Sequence, residues 1–248
     1  MLGLGSSIVI PSVMESLYNN THSLSLDGTG DFLDTNYQTD STFQGSFSVS
    51  AWIKLDDGRA SSSQCIFGAD ANDGVTMFEF TVGTAGTLGI GHISNSDAAL
   101  VYSTDNAFAD GAMSDFAHVV AVVTKDSGSG DTTYAAYVDG TAVTLQSFFG
   151  ISAANHAQFS ISRDFYVGAS NHNTVPKPCD GLIDEFSLWN KALSSSEVTS
   201  IYNSGSPTDL TGSSNLVLYY KFNNDATDAA GTSDGTLAGD ATFSTTTP

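Results

Sequence analysis

The feature that most constrains the fold is a hairpin pattern in residues 116–143, FAHVVAVVTKDSGSGDTTYAAYVDGTAV. Two apolar segments flank a polar loop, and Asp139-Gly140 marks a second tight turn. Shorter alternating segments recur along the chain, separated by clusters of Gly, Asp, Asn and Ser. Roughly a dozen such segments predict an all-β antiparallel sandwich, or jelly roll.

Residues 194–205 are the one segment with a strong helical pattern. Ser194, with Glu197 three positions later, forms a capping box. Apolar residues then recur at helical spacing, and Gly205 is typical of a helix C-terminus. The sequence therefore predicts a single short helix late in an otherwise β-rich chain.

The charge balance excludes some classes of partner. The chain carries 27 acids against 7 bases, a net charge of −20, so phosphate backbones are repelled and nucleic-acid binding is not expected. No apolar run approaches the roughly 18–20 residues that span a bilayer. No basic residue precedes the short apolar patch near the N-terminus, so a secretory signal is not expected. Cys65 and Cys179 either pair or remain buried thiols.

The domain organisation follows from the spacing of the strand segments. Strand patterns resume promptly after each Ser-rich stretch, so no internal linker is expected. We predict an N-terminal arm over residues 1–20 and one jelly-roll domain over residues 21–248.

Several segments together resemble a known family. SLSLDGTGDFLDT, FSVSAWIKLDDG, FYVGAS and GLIDEFSLWNKALSSSEV occur in this order between residues 22 and 205. With the hairpin, they resemble the laminin-G-like, concanavalin A-like jelly-roll family, and within it the pentraxin-related branch. Residues 215–243 look like the strand pair that usually opens such domains. Here they either close the same sandwich in permuted order or pair with another chain.

The resemblance implies a structural calcium ion. Family members often hold one, and the matching positions are Asp27, Asp31 and Asp184. Calcium binds six to eight oxygen atoms, which Asp side chains and turn carbonyls supply. Such a cation would compensate Asp184, which stands beside Glu185 at the edge of an apolar strand. Alternatively, these two acids accept hydrogen bonds from backbone N–H groups or Tyr hydroxyls, or pair with a base.

Carbohydrate binding is the usual role of this family, so aromatic and amide side chains in long loops are candidate ligands. The candidates are Tyr102, Phe148, Phe149, His156, Tyr166, Asn171, His172 and Asn173. Of these, Tyr102, His156, Asn171, His172 and Asn173 make up the predicted binding site. Phe148 and Phe149 are better explained as core or subunit contacts, because two adjacent residues of an extended chain point to opposite sides.

The acids do not form the pattern of a glycoside hydrolase, which needs two carboxyl groups facing the bond that is cleaved. Glu79 stands alone in MFEFTV. Glu185 adjoins Asp184, and neighbours in a regular strand face opposite sides of the sheet. The five histidines show no metal-ligand spacing. The sequence therefore predicts a protein without enzymatic activity.

The leading functional hypothesis is a bacteriophage virion component, either a capsid decoration, a fibre or a tail-surface protein. It would assemble with other virion proteins or with copies of itself and could bind host glycans. The opening MLGLGSSI resembles those of phage structural proteins. The alternative is a secreted or cell-surface carbohydrate-binding module.

Overall fold

The computed structural model describes residues 18–38, 41–71, 77–94, 97–126, 132–147, 162–172 and 176–248. Within these residues the chain forms two β-sheets packed face to face, one α-helix and two short 3-10 turns. The prediction of an antiparallel β-sandwich with one short helix is confirmed. The core lies between the sheets, where the inward residues of alternating strand positions meet.

The first sheet, sheet A, has eight strands. They are β1 (Ser23–Asp27), β3 (Phe47–Leu55), β8 (Ala117–Lys125), β9 (Thr132–Val138), β10 (Thr141–Val143), β14 (Asp180–Trp189), β15 (Leu216–Tyr220) and β17 (Thr242–Ser244). Their order across the sheet is β10-β9-β8-β3-β14-β1-β17, and β15 also pairs with β14. The hairpin of the opening pattern is the pair β8 and β9, which align residue for residue from Val119–Val138 to Lys125–Thr132.

The second sheet, sheet B, has nine strands. They are β2 (Phe32–Asp34), β4 (Gln64–Asp70), β5 (Met77–Val82), β6 (Leu88–Ser94), β7 (Asp97–Ser103), β11 (Leu145–Ser147), β12 (Tyr166–Val167), β13 (Ser170–Asn171) and β16 (Thr236–Ala238). Their order is β11-β7-β6-β5-β4-β12-β2-β16. The short strand β13 pairs with β4 in the parallel direction, unlike its antiparallel neighbours.

Phenylalanine rings dominate the centre of the core. Phe43 and Phe165 stack with ring centroids 4.7 Å apart, and Phe67 stacks on Phe165 at 4.8 Å. All three are buried, and each buried ring stabilises the fold by roughly 1.5–3 kcal/mol relative to an exposed one. Cys65 and Cys179 are also buried, as unpaired thiols, and burial raises the pKa of Cys179 to about 12.

The helix α1 (Ser195–Tyr202) covers part of the outer face of sheet A. Its buried residues Val198 and Ile201 join a second apolar cluster that includes Trp189 and Tyr219. The predicted capping box at Ser194 is present. The predicted C-terminal position was wrong, because Asn203 rather than Gly205 takes the left-handed cap, with φ of 46°. Within the described ranges, no helix combines the length and hydropathy needed to cross a bilayer.

The C-terminal segment closes the same sandwich. Strand β15 pairs with β14, β16 pairs with β2 in sheet B, and β17 pairs with β1 in sheet A. The permuted order considered for residues 215–243 is therefore confirmed. The turn between β16 and β17 crosses from sheet B to sheet A, and each of the two strands lies at the edge of its own sheet.

Candidate functional site

The outer face of sheet B carries a row of residues that runs across five neighbouring strands. Successive pairing registers place in line Tyr166 of β12, Gly68 of β4, Glu79 of β5, Gly91 of β6 and Leu100 of β7. We call these five residues the crossing row. Four strand spacings of about 4.8 Å give the row a length of roughly 19 Å.

Two glycines keep the crossing row low. A Cβ atom at Gly91 would lie 2.7 Å from the Cε of Met77, and a Cβ at Gly68 would lie 3.1 Å from the Cγ of Glu79. Because neither position carries a side chain, the neighbouring side chains lie close against the sheet. Gly68, Glu79 and Gly91 are themselves buried, so neighbouring groups cover the middle of the row.

Glu79 is buried in the middle of the row as half of an ion pair. It is 3% exposed, and the Nζ of Lys177 contacts its Oε2. Lys177 has a left-handed backbone, with φ of 46°, and its carbonyl accepts a hydrogen bond from the Cys65 N–H. The ammonium group thus compensates a carboxylate that would be costly to bury alone.

A pocket of about 480 Å³ adjoins the Leu100 end of the row. Tyr102 and Leu100 supply apolar surface, and Gly89, which lies opposite both Thr81 and Tyr102, leaves space between them. The remaining lining is rich in hydroxyl groups and comes from Ser63, Gly83, Thr84, Ala85 and Thr87. The volume lies in the range of small-molecule sites, and the lining combines an aromatic ring with neutral hydrogen-bonding groups.

An aromatic pair stands at the opposite end of the row. Phe32 and Tyr166 stack with ring centroids 4.0 Å apart and an angle of 15° between the planes. Both rings are only partly buried. Asp34 lies opposite Tyr166 in the register, and burial, followed by the charge of Asp34, raises the pKa of the Tyr166 hydroxyl.

The predicted ligand-binding residues do not all come together. Tyr102 lines the pocket, whereas Asn171 and His172 lie beside β4, three strands away. Asn171 is 7% exposed, and its amide bonds within the protein, with Oδ1 accepting from Arg163 at 2.6 Å and Nδ2 donating to the Asp164 carbonyl at 2.8 Å. The Nε2 of His172 lies 3.8 Å from Asp70. His156, Asn173, Phe148 and Phe149 lie outside the described residues.

A cluster of carboxylates occurs at one end of the sandwich. Oxygen atoms of Asp27, Asp31 and Asp240 all lie within 4.8 Å of one another. Asp31 is 2% exposed and accepts the backbone N–H of Asp27 at 3.1 Å and of Asp240 at 2.8 Å. Gly28 and Gly30 have positive φ angles of 76° and 84°, which form the tight turn around Asp31.

Asp184 does not join that cluster, so the grouping of Asp27, Asp31 and Asp184 as one metal site was wrong. The register of β1 and β14 places Asp180 opposite Asp27, and Asp184 lies four residues further along β14, roughly 13 Å away. Asp240, on the turn between β16 and β17, takes the third position instead.

Asp184 and Glu185 lie on the same side of sheet A, contrary to the expectation for a regular strand. The register between β14 and β3 shifts between Asp184 and Ser187, and Glu185 has φ of 49°. This β-bulge inserts one residue, so both carboxyls reach the outer face, where Glu185 accepts a hydrogen bond from the hydroxyl of Tyr219.

Hydrogen bonds compensate the two buried acids, as the alternative interpretation of the sequence proposed. Tyr18 donates to Glu185 at 2.5 Å, Asn20 Nδ2 donates to Asp184 at 2.8 Å, and the backbone N–H of Glu185 donates to Asp184 at 2.9 Å. Burial, together with the charge of Glu185, raises the pKa of Asp184 to about 8. Burial raises the pKa of Glu185 to about 7, although the bonds from Tyr18 and Tyr219 oppose this shift.

Comparison with known proteins gives one family and several similar folds. The family model described as the concanavalin A-like lectin/glucanases superfamily matches residues 27–199. None of the curated proteins matches the chain.

Three solved structures are reported as similar to this chain. A candidate carbohydrate-binding protein from Bacteroides ovatus is 20% identical, with a TM-score of 0.61. The match covers 92% of this chain, and this chain spans 60% of the length of that protein. The CBM40 module of a Ruminococcus gnavus sialidase is 12% identical, with a TM-score of 0.54. The match covers 73% of this chain and 96% of the module. A second structure of the module holds α2,3-sialyllactose. A pentraxin from Limulus polyphemus is 16% identical with a TM-score of 0.49, covering 74% of this chain and 82% of its own.

Proposed function

The chain belongs to the concanavalin A-like lectin/glucanases superfamily, and from this premise we propose that it binds carbohydrate on the outer face of sheet B. The observation that carries the proposal is the pocket of about 480 Å³ beside Tyr102. Two of the similar folds are carbohydrate-binding by description, the Bacteroides ovatus protein and the sialidase module. This role corresponds to the carbohydrate-binding module that the sequence suggested as its alternative.

The chemistry of the pocket suits a sugar. A pyranose ring has an apolar face of C–H groups that packs on an aromatic ring, here Tyr102. Its hydroxyl groups both donate and accept hydrogen bonds, as do those of Thr81 and Thr87 on the facing wall. A ligand of this kind uses both parts of the lining.

The proposed activity is binding without cleavage. Hydrolysis of a glycosidic bond needs one carboxyl group to donate a proton and another to act as base or nucleophile. Glu79 is nearly enclosed and bound to Lys177, so it is poorly placed to exchange protons with a ligand above the sheet. We propose an extracellular or surface location on the same grounds. The bacteriophage virion role stays a prediction, because neither the fold nor the similar structures bear on it.

We also propose that Asp27, Asp31 and Asp240 hold a calcium ion. The three carboxylates are close enough to share one cation, and Asp31 is fixed by two backbone N–H groups. A Cβ at Gly239 would lie 2.3 Å from the Oδ1 of Asp31, so only glycine lets the turn between β16 and β17 approach this carboxylate. Such an ion would fasten the β16–β17 turn to the end of β1.

The binding proposal is tested on an array of glycans. We expect the wild-type protein to bind at least one class of glycan and Tyr102→Ala to reduce that binding by about tenfold, the loss of one aromatic contact. Phe116→Ala is the matched control, because Phe116 is a partly buried ring next to sheet A. No glycan bound by the wild type, or equal loss in both variants, would contradict the proposal.

A further inference from the structure

The pocket beside Tyr102 is built over one glycine, Gly89 of β6. The register places Thr81 of β5 and Tyr102 of β7 on either side of this glycine, so their strands are two spacings, or roughly 10 Å, apart. Gly89 itself is buried, and a Cβ at this position would lie 2.7 Å from the Oγ1 of Thr81. The missing side chain therefore leaves room for the Thr81 hydroxyl at the bottom of the pocket.

The pocket is closed at the Gly91 end of β6. A Cβ at Gly91 would lie 2.7 Å from the Cε of Met77 and 3.8 Å from the Cδ1 of Leu100. The ends of these two side chains therefore lie together over Gly91, which is buried. Leu100 also lines the pocket, so it forms the wall on this side. A ligand that rests on the floor of the pocket is stopped here by apolar side chains.

The turn between β5 and β6 forms the wall at the opposite end. Thr84 and Thr87 of this turn line the pocket. The N–H of Gly83 donates to the Thr87 carbonyl at 2.8 Å and closes the turn. The carbonyl of Gly86, which has φ of 71°, accepts the N–H of Phe108 at 3.0 Å and ties the turn to a neighbouring loop. The wall is therefore formed before a ligand arrives, which lowers the entropy cost of binding.

The described lining of the pocket carries no charged side chain. Its polar side chains are hydroxyl groups, from Ser63, Thr81, Thr84, Thr87 and Tyr102. Hydroxyl groups donate to and accept from neutral sugars, but they offer no ion pair to a carboxylate or an ammonium group. With a net charge of −20 on the chain, an anionic sugar also approaches against an unfavourable potential. The lining therefore suits an uncharged ligand.

We propose that this pocket holds the last one or two units of an uncharged glycan, bound by its end, and that Gly89 sets the depth of the site. The inference rests on the proposed carbohydrate-binding function and adds the length and charge of the ligand. The volume of about 480 Å³ lies in the lower half of the range for small-molecule sites, about 300–1,000 Å³, which suits a short ligand. An internal segment of a polysaccharide needs a site open at both ends, whereas this pocket has a wall at each.

The first test measures how affinity depends on ligand length and charge. Calorimetric titrations use the monosaccharides, disaccharides and pentasaccharides of the cellulose, laminarin, xylan and mannan series, together with lactose and 3′-sialyllactose. We expect the wild type to bind at least one disaccharide, and to bind the matching pentasaccharide within about threefold of it, because the added units lie outside the pocket. The anionic 3′-sialyllactose should bind no more tightly than lactose, its neutral core.

Two glycine variants separate the pocket from the rest of the face. Neither Gly89 nor Gly91 has a positive φ angle, so the strand accepts alanine at both positions. Gly89→Ala displaces the Thr81 hydroxyl from the bottom of the pocket and should weaken binding at least about tenfold. Gly91→Ala is the matched control, because it adds the same methyl group under the flexible end of Met77 and outside the pocket. Its affinity should stay within about twofold of the wild type.

A further variant keeps the test valid if Gly89→Ala unfolds, which urea denaturation would show. Thr87→Val removes one hydroxyl of the lining at nearly constant shape and should weaken binding by about fivefold, the loss of one hydrogen bond. Wild-type protein that binds no member of the panel would overturn the proposed function itself. Three results would overturn only the end-binding pocket. They are a gain of about tenfold or more from disaccharide to pentasaccharide, a preference for 3′-sialyllactose over lactose, and unchanged binding in the folded variants Gly89→Ala and Thr87→Val.

Discussion

Replacing Asp184 with asparagine should make the protein more stable in mildly alkaline solution. Asp184 is 0% exposed, and burial with the charge of Glu185 raises its pKa from 3.8 to about 8. Between these two pH values the folded state holds a proton that the unfolded state has lost. The free energy of unfolding therefore falls as pH rises, by up to about 1.4 kcal/mol per pH unit. The stability that the protein has with Asp184 protonated is fully present only below the pKa of the unfolded state.

The magnitude follows from the size of that interval. An isolated carboxyl with this shift would cost roughly 6 kcal/mol at about pH 8, and movement of neighbouring groups with entry of water reduces the cost to roughly 2–4 kcal/mol. Asparagine keeps the oxygen that accepts the Glu185 N–H. Its amide can donate to the Oδ1 of Asn20, which no described residue bonds, after the Asn20 amide rotates.

The assay is urea denaturation followed by tryptophan fluorescence at several values between about pH 4.5 and pH 8.5. Trp52 lies opposite Asp184 in the sheet and reports the local environment. We expect Asp184→Asn to match the wild type within about 1–2 kcal/mol at the acid end and to exceed it by roughly 2–4 kcal/mol at the alkaline end. Asp115→Asn, at an exposed acid, is the matched control. Parallel pH profiles for Asp184→Asn and the wild type would refute the reasoning.

Three further predictions concern other parts of the fold. Calcium at about 100 times its Kd should stabilise the wild type by roughly 2.7 kcal/mol, measured as a rise in Tm over EDTA-treated protein. Asp240→Asn should reduce that rise, and Asp184→Asn should not. An equal rise in both variants would place the ion elsewhere. Asp228 is 5% exposed and accepts hydrogen bonds from the backbone N–H groups of Tyr219, Ala230 and Ser233. Asp228→Ala should therefore lower the free energy of unfolding, measured by urea denaturation, by roughly 3 kcal/mol, and Asp228→Asn should lower it less. An unchanged free energy of unfolding in Asp228→Ala would show that water replaces these bonds. Ser194→Ala should cost about 1 kcal/mol by removing the helix cap, and an unchanged urea midpoint would mean that tertiary packing alone holds α1.

The parts of the fold that depend on neighbours in the chain were predictable from the sequence. The β8–β9 hairpin and the capping box at Ser194 use residues within one turn or one loop of each other, so their patterns are visible in a short window. The cap at Asn203 was missed because asparagine and glycine both accept a left-handed backbone, and the pattern does not distinguish them.

The sites depend on pairings between distant strands, which a single sequence does not specify. Asp240 meets Asp31 across 209 residues, because β16 pairs with β2 and β17 pairs with β1. The bulge at Glu185 changes which side of the sheet its side chain reaches, and no local residue pattern announces it. The pocket and the crossing row left one readable signal, the glycines at positions 89 and 91 on one face of β6, but its meaning needs the register with β5 and β7.

The segment formed by β16, β17 and the turn between them determines how the molecule fails under stress. Since one short element shields the outermost backbone groups of β1 and of β2, its detachment would uncover hydrogen-bonding edges in both layers in a single event. Exposed edges of that kind recruit strands from other molecules, so fraying at this corner would be the first step toward self-association. A cation held at the turn between β16 and β17 would guard against aggregation even if it never contacts a sugar.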